Sequence, residues 1–260
     1  MPTLRVDGVR VTVPAGATVL AAARAAGVEI PTLCHHEGLE AWGGCRLCLV
    51  EIRKPGWTGP GRIVTSCNYP AEDGLVVRTS GERVVATRRV VVDLLLARCP
   101  ETPLVQRLAR EHGIEETSYE VNPEPTDCVL CGLCTRACDR MGVSAIASVS
   151  RGASRAIAPP FDQPPPDCIG CLACAEVCPT GCIAWSEAGG RRTIWGRVFE
   201  MLRCEGCGRS HLTDAQAAWA RAHGVAEQDL RLCDACKREQ LGRTLRAVSR
   251  GETVVAQVAT

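Results

Sequence analysis

Cysteine thiolates bind soft metals and iron-sulfur clusters, and 18 of the 260 residues are cysteine, most of them in C-x2-C groups. Cys128, Cys131, Cys134 and Cys138 form a C-x2-C-x2-C-x3-C run; Cys168, Cys171, Cys174 and Cys178 repeat it, with Pro179 directly after. Three thiolates on one tight loop can wrap three corners of a cubane, which leaves the fourth corner to a distant residue. The repeat therefore predicts two [4Fe-4S] clusters with exchanged fourth ligands. Cys128, Cys131, Cys134 and Cys178 would hold the first, and Cys138, Cys168, Cys171 and Cys174 the second. A pair of zinc knuckles explains the runs less well, because each zinc needs only four ligands and no such doubled run. Where the second run has Pro179 the first has Asp139, a carboxylate expected to separate the potentials of the two clusters.

Two further sets remain. Cys34, Cys45, Cys48 and Cys67 are spaced C-x10-C-x2-C-x18-C, unlike the C-x4-C-x2-C of plant-type ferredoxins. Cys204, Cys207, Cys233 and Cys236 form C-x2-C-x25-C-x2-C, two knuckles that suit a tetrahedral zinc, with mononuclear iron or a further iron-sulfur cluster as alternatives. His211 is placed as a surface histidine rather than a substitute ligand, and His35 and His36 as polar loop residues or donors beside Cys34. Cys99 and Cys182 are left over, and both are expected to fill small buried sites as minor hydrophobes.

The elements that must carry these groups can be read in outline. Leu4 to Val13 predicts two short strands about Asp7-Gly8, followed by an Ala-rich helix from Thr18 to Ala26 that ends at Gly27. With strands at Leu49 to Ile52 and Leu75 to Thr79, and a Gly/Pro-rich excursion from Pro55 to Gly61, this is a β-grasp-like start. Helices are expected from Arg83 to Arg98 and from Pro103 to His112, then a linker from Thr117 to Thr126. Near the C-terminal cysteines Thr213 and Gln216 have capping-box spacing. The fold class expected is α+β, in four parts. Residues 1–80 form a [2Fe-2S] ferredoxin-like domain in the light of the resemblance below. Residues 81–126 form a helical connector without cluster, residues 127–200 a two-[4Fe-4S] ferredoxin-like domain, and residues 201–260 a zinc-ribbon-like module with a C-terminal tail.

One resemblance is specific. Ile30-Pro31-Thr32-Leu33-Cys34-His35-His36-Glu37-Gly38-Leu39, then Gly44-Cys45-Arg46-Leu47-Cys48-Leu49-Val50-Glu51-Ile52, resembles the [2Fe-2S] motif that opens the large iron-sulfur subunit of respiratory complex I. The same arrangement occurs in [FeFe]-hydrogenases, in the diaphorase small subunit of NAD-coupled hydrogenases and in NAD-dependent formate dehydrogenases. Arg151-Gly152 and Cys178-Pro179-Thr180-Gly181 fit the same pattern, so the resemblance covers about residues 1 to 184. It implies that Cys34, Cys45, Cys48 and Cys67 hold a [2Fe-2S] cluster. In the family, the helix matching Arg83 to Arg98 leads to a His and three Cys that bind an additional [4Fe-4S] cluster. Here it leads to Arg98-Cys99-Pro100-Glu101-Thr102-Pro103, with no later Cys before Cys128, and that cluster is expected to be absent.

Composition narrows the function. Net charge is +1, with 30 Lys plus Arg against 29 Asp plus Glu, which gives no electrostatic footprint for nucleic acid. The most apolar run, Val90 to Ala97, is short and carries Asp93, so no membrane span is expected. No secretory signal is read at the start, and a cytoplasmic location follows, within a membrane-associated complex or free of one. Reducing conditions there favour metal ligation over disulfides. Aromatics make up 3%, so metal sites are expected to supply folding energy that a thin core lacks.

No G-x-G-x-x-G after a strand, P-loop or H-E-x-x-H is present, and the residues after the last cysteine are too few for a hydrogenase or molybdenum domain. The expectation is a subunit that is non-catalytic on its own. It would pass electrons between a flavin/NAD(P)H-handling subunit and another redox subunit, such as a hydrogenase or formate dehydrogenase. The alternatives are an iron-sulfur sensor or assembly protein, which needs only one labile cluster, and a self-sufficient NADH oxidoreductase, which needs bound flavin.

Overall fold

The computed structural model describes residues 1–124 and 126–250, which divide into two compact units. Pro125 of the expected linker and the end of the expected C-terminal tail lie outside the described residues.

The first unit comprises residues 1–161 and 173–183. It begins with strands β1 (Thr3–Val6) and β2 (Val9–Thr12), paired antiparallel about Asp7 and Gly8. Both turn residues have positive φ, 46° and 88°, the conformation that a two-residue hairpin of matching twist requires. Helix α1 (Val19–Ala25) starts at Thr18, whose side chain accepts from the Ala21 amide, a cap contributing about 1 kcal/mol. Strands β3 (Leu49–Arg53), β4 (Arg62–Thr65) and β5 (Val76–Arg78) complete a five-stranded sheet in the order β2-β1-β5-β3-β4. β5 runs parallel to β1, and the sheet has the mixed arrangement expected of a β-grasp. Strand β4 was not legible in the sequence, because Arg62 to Thr65 is short and follows a Gly/Pro-rich stretch. Its register with β3 brings Thr65 opposite Leu49 and so places Ser66 and Cys67 beside Cys48. Leu4, Val6, Val19, Leu20, Val50, Ile52 and Val77 are almost fully buried between sheet and α1. Each contributes roughly 1.5–3 kcal/mol.

Helix α2 (Glu82–Arg98) and helix α3 (Pro103–Glu111) pack against each other and lie close to the predicted bounds. Pro103 opens α3, where its missing N–H costs nothing. After them come α4 (Leu133–Arg140), the short ribbon of β6 (Ala147–Val149) and β7 (Ala156–Ala158), and α5 (Ala173–Glu176), which packs on α4.

The second unit comprises residues 162–172 and those from 184 on. Its sheet is a meander of β8 (Trp185–Ala188), β9 (Arg191–Ile194), β10 (Arg197–Arg203) and β11 (Ser210–Thr213). Helices α6 (Asp214–Ala222), α7 (Glu227–Leu230) and α8 (Asp234–Ser249) follow. The capping box at Thr213 and Gln216 is present in both directions, as its spacing predicts. Thr213 is fully buried, and its hydroxyl also donates to the Ile169 carbonyl at 2.6 Å. The sheet and α8 were not anticipated from sequence: β8 is exposed along its whole length, so no buried alternation announces it. Among the described residues, no helix is long and apolar enough to cross a membrane.

Candidate iron-sulfur and metal sites

Cys34 follows the loop after α1, Cys45 and Cys48 lie on the turn before β3, and Cys67 follows β4. The turn needs left-handed backbone at Gly43 and Arg46, with φ of 69° and 58°, and that conformation aims its amides inward. The Cys45 amide reaches the Cys34 sulfur at 3.4 Å. The Cys67 thiol donates to both Cys34 and Cys48, so all four sulfurs meet in one network. Donation from the Cys45 and Cys67 thiols, with the amides of Cys45 and Gly44, lowers the Cys34 thiol to about 2, and the donating thiols rise in turn. A pocket that gathers donors on sulfur stabilises thiolate, the form that binds iron.

Arg88 of α2, which belongs to no motif, is only 8% exposed. Its guanidinium donates to the carbonyls of Leu47 at 3.1 Å, Leu49 at 2.8 Å and Thr79 at 3.3 Å, so it grips the backbone on either side of Cys48. Burial lowers its pKa, and the charge of Cys48 opposes that shift. Arg88 is one of four arginines on α2 and adjoins Arg89, so nothing local in the sequence marked it as the buried one.

The two cubane runs share a backbone signature. Leu130 and Gly132 in the first, and Gly170 and Leu172 in the second, occupy matching places and all have φ between 53° and 69°. Leucine adopts this region only under constraint, and such constraint concentrates at functional loops. In both runs a helix starts directly after, at Leu133 and at Ala173. Cys131, Cys134 and Cys138 are buried, and Cys128 and Cys178 are half-buried. Arg98 holds the first loop from outside, donating to the Cys128 carbonyl at 3.0 Å and the Arg155 carbonyl at 2.9 Å. Of the second run, Cys168 and Cys171 belong to the second unit, whereas Cys174 and Cys178 belong to the first.

The [2Fe-2S] loop and the first cubane loop lie in one apolar cluster, which includes Cys34, Leu47, Leu96, Cys99, Cys131 and Leu133. Arg136 of α4 links them. It donates to the carbonyls of Cys34 and of Glu40, the latter at 2.6 Å, and through Nε to the Gly132 carbonyl at 3.2 Å. Its guanidinium also lies over the Trp42 ring, 5.6 Å from the centroid. Trp42 in turn packs so closely on Gly44 and Gly132 that a Cβ at either would come within 2.6 or 2.8 Å of the ring.

Cys99 caps α2 and is fully buried, and burial pushes its thiol up to about 11, as a packing role requires. Cys182 departs from expectation. It is exposed rather than buried, and its sulfur lies 3.6 Å from that of Cys178. Pro179 to Gly181 turn the chain back, so Cys182 faces Cys178 instead of entering the core.

In the second unit, Cys204 and Cys207 sit at the tip of the β10–β11 hairpin, which turns through Gly208 at φ 72°. Cys233 is the N-cap of α8 and Cys236 lies in its first turn. A helix N-terminus favours thiolate, and this end replaces the second hairpin that a zinc ribbon would have. The four sulfurs lie within 4.8 Å of one another, and those of Cys207 and Cys233 are 3.8 Å apart. Tetrahedral Zn–S bonds of about 2.3 Å imply sulfur separations of about 3.8 Å, so the donor set fits one ion. Among the described residues, no other group of three or more potential ligands closes this tightly. His211 takes no part; its Nε2 bonds with the Leu230 carbonyl at 2.9 Å. His36 serves its own loop by accepting from the Gly38 amide at 3.1 Å.

Residues 1–82 match a family model described as a 2Fe-2S iron-sulfur cluster binding domain, and residues 167–211 match a 4Fe-4S dicluster domain. The second match starts before Cys168 and reaches past Cys207, outside the first cubane run. Among curated proteins, the chain is 32% identical over 219 residues to the NADP-reducing hydrogenase subunit HndD of Solidesulfovibrio fructosivorans, covering 72% of this chain and 36% of that protein. It is 30% identical over 234 residues to an NADH-quinone oxidoreductase subunit of Rhizobium meliloti (strain 1021), covering 80% and 27%. The crystal structure of an NAD+-reducing [NiFe]-hydrogenase in the H2-reduced state contains a chain 32% identical, with a TM-score of 0.53, 61% of this chain and 75% of that chain being covered. The chain thus spans roughly a third of the length of these curated relatives.

Proposed function

We propose, from the premise that the chain belongs to the iron-sulfur subunit family shared by NADH-quinone oxidoreductases and the NAD(P)-linked hydrogenases, a specific route for the electrons it transfers. Electrons pass directly between a [2Fe-2S] site and a cubane pair, with no additional cluster between them. The observation that carries this is the single apolar cluster containing both Cys34 and Cys131, bound across by Arg136.

In this reading Cys34, Cys45, Cys48 and Cys67 hold the [2Fe-2S] cluster. Cys128, Cys131, Cys134 and Cys178 hold the first [4Fe-4S] cluster, and Cys138, Cys168, Cys171 and Cys174 the second, on the spacing of the two runs. The clusters supply one-electron chemistry, and the chain supplies thiolates, inward amides and a dry path. Arg88 and Arg136 fix the loops and add positive charge beside them. The four parts read from sequence, residues 1–80, 81–126, 127–200 and 201–260, are kept as functional modules.

Cys204, Cys207, Cys233 and Cys236 hold a structural zinc, supported by sulfur spacing that suits one ion. The dicluster match reaching Cys207 favours a further cluster instead, and metal analysis separates the two readings. The partners are a flavin/NAD(P)H-handling subunit on the [2Fe-2S] side and a second redox subunit beyond the cubanes, in a cytoplasmic complex.

Affinity purification followed by stopped-flow reduction tests the assignment. A copurified flavoprotein should reduce the clusters with NAD(P)H, and Cys45→Ala or Cys171→Ala should abolish electron passage to the second redox subunit. Unchanged passage in both variants would refute the route.

A further inference from the structure

The first cubane set has a fifth thiol. Cys182 stands four residues after Cys178, at the end of the Pro179-Thr180-Gly181 turn, with its sulfur 3.6 Å from that of Cys178. Its sulfur is in hydrogen-bond contact with those of both Cys178 and Cys128, two of the four assigned ligands. Unlike Cys99, which is buried in an apolar cluster, Cys182 is exposed. A thiol held there has one chemistry close at hand: binding the iron that Cys178 serves.

We propose that Cys182 is an alternative fourth ligand of the first [4Fe-4S] site, able to take over from Cys178. The exchange is a ligand substitution at one iron. The Cys182 sulfur loses its proton to solvent and forms an Fe–S bond as the Cys178 sulfur leaves and takes a proton, with no change in oxidation state. The turn from Pro179 to Gly181 makes this local, since it holds the two sulfurs 3.6 Å apart. The inference rests on the cubane assignment above.

The test compares iron content, Mössbauer spectra and low-temperature EPR of reduced wild type, Cys178→Ala, Cys182→Ala and the double variant, each reconstituted anaerobically. Two [4Fe-4S] signals in wild type are the condition for the cubane assignment itself, and their absence would reject that reading rather than the exchange. Given those signals, each single variant should keep both clusters, Cys178→Ala with shifted g-values, while the double variant loses the fourth ligand and yields a [3Fe-4S] signal or lower iron. Loss of the cluster in Cys178→Ala alone would overturn the proposal. So would its loss in Cys182→Ala alone, which would make Cys182 the sole ligand. If Cys178→Ala is not recovered folded, Cys178→Ser with and without Cys182→Ala is read in the same way; serine ligation there gives oxygen-ligated Mössbauer parameters, distinct from the four-sulfur parameters that exchange predicts.

Discussion

At the scale of single residues, the buried charges carry more of the account than the ligands themselves. Arg88 has three carbonyl partners and almost no solvent, so Arg88→Met strands acceptors around Cys48. The expected cost is about 3 kcal/mol, measured by chemical denaturation of the loaded protein. Reduction adds negative charge to a cluster, which a nearby cation favours. Arg88→Met should therefore lower the [2Fe-2S] midpoint potential in a redox titration, and an unchanged potential would assign Arg88 to folding alone. Asp139 acts with the opposite sign from an exposed position, so Asp139→Asn should raise the potential of one cubane by a small, salt-sensitive amount. The cysteine groups themselves were legible because the spacing of candidate ligands follows cluster geometry. Arg88, Arg136 and Trp42 were not, because their partners are backbone carbonyls and a ring face far away in sequence. Cys182 was misread for a related reason: a small apolar residue after a turn defaults to the core until the direction of the turn is known.

At the scale of elements, the strands and helices of the N-terminal region followed from local rules. An Asp7-Gly8 turn, a Thr18 cap and a Pro103 start each leave a signature within four residues. The β8–β11 meander left none, since its strands are short and one is wholly exposed. The module it supports depends instead on fixed points such as Thr213, which caps α6 and bonds Ile169. Thr213→Ala should cost about 1–2 kcal/mol, read by chemical denaturation of the loaded protein. The hairpin tip meets the start of α8 at the four sulfurs, where the Cys233 amide donates to Cys204 at 3.2 Å, and just before it, where the Glu205 amide donates to the Arg231 carbonyl at 2.9 Å. Removing the proposed zinc with a chelator should loosen α8, read as a loss of far-ultraviolet circular dichroism and faster amide exchange. The iron-sulfur EPR signals should remain, and their loss would show that these cysteines hold part of the electron path.

At the scale of the whole molecule, the account turns on what stands between the [2Fe-2S] and cubane sites. The spacing in the family supplies a cluster after the helix matching α2, whereas here Cys99 is packed among Leu96, Val105 and Leu108. The two outer loops share that packing and the Arg136 bridge, which supports the proposed route without an intermediate cofactor. The most direct measurement is low-temperature EPR of the fully reduced chain with spin quantification and iron and zinc analysis, on wild type and Cys45→Ala. The predicted result is about ten irons and one zinc, with one [2Fe-2S] signal that Cys45→Ala removes and two [4Fe-4S] signals that it leaves. A third [4Fe-4S] signal that survives loss of Cys204 would contradict the account.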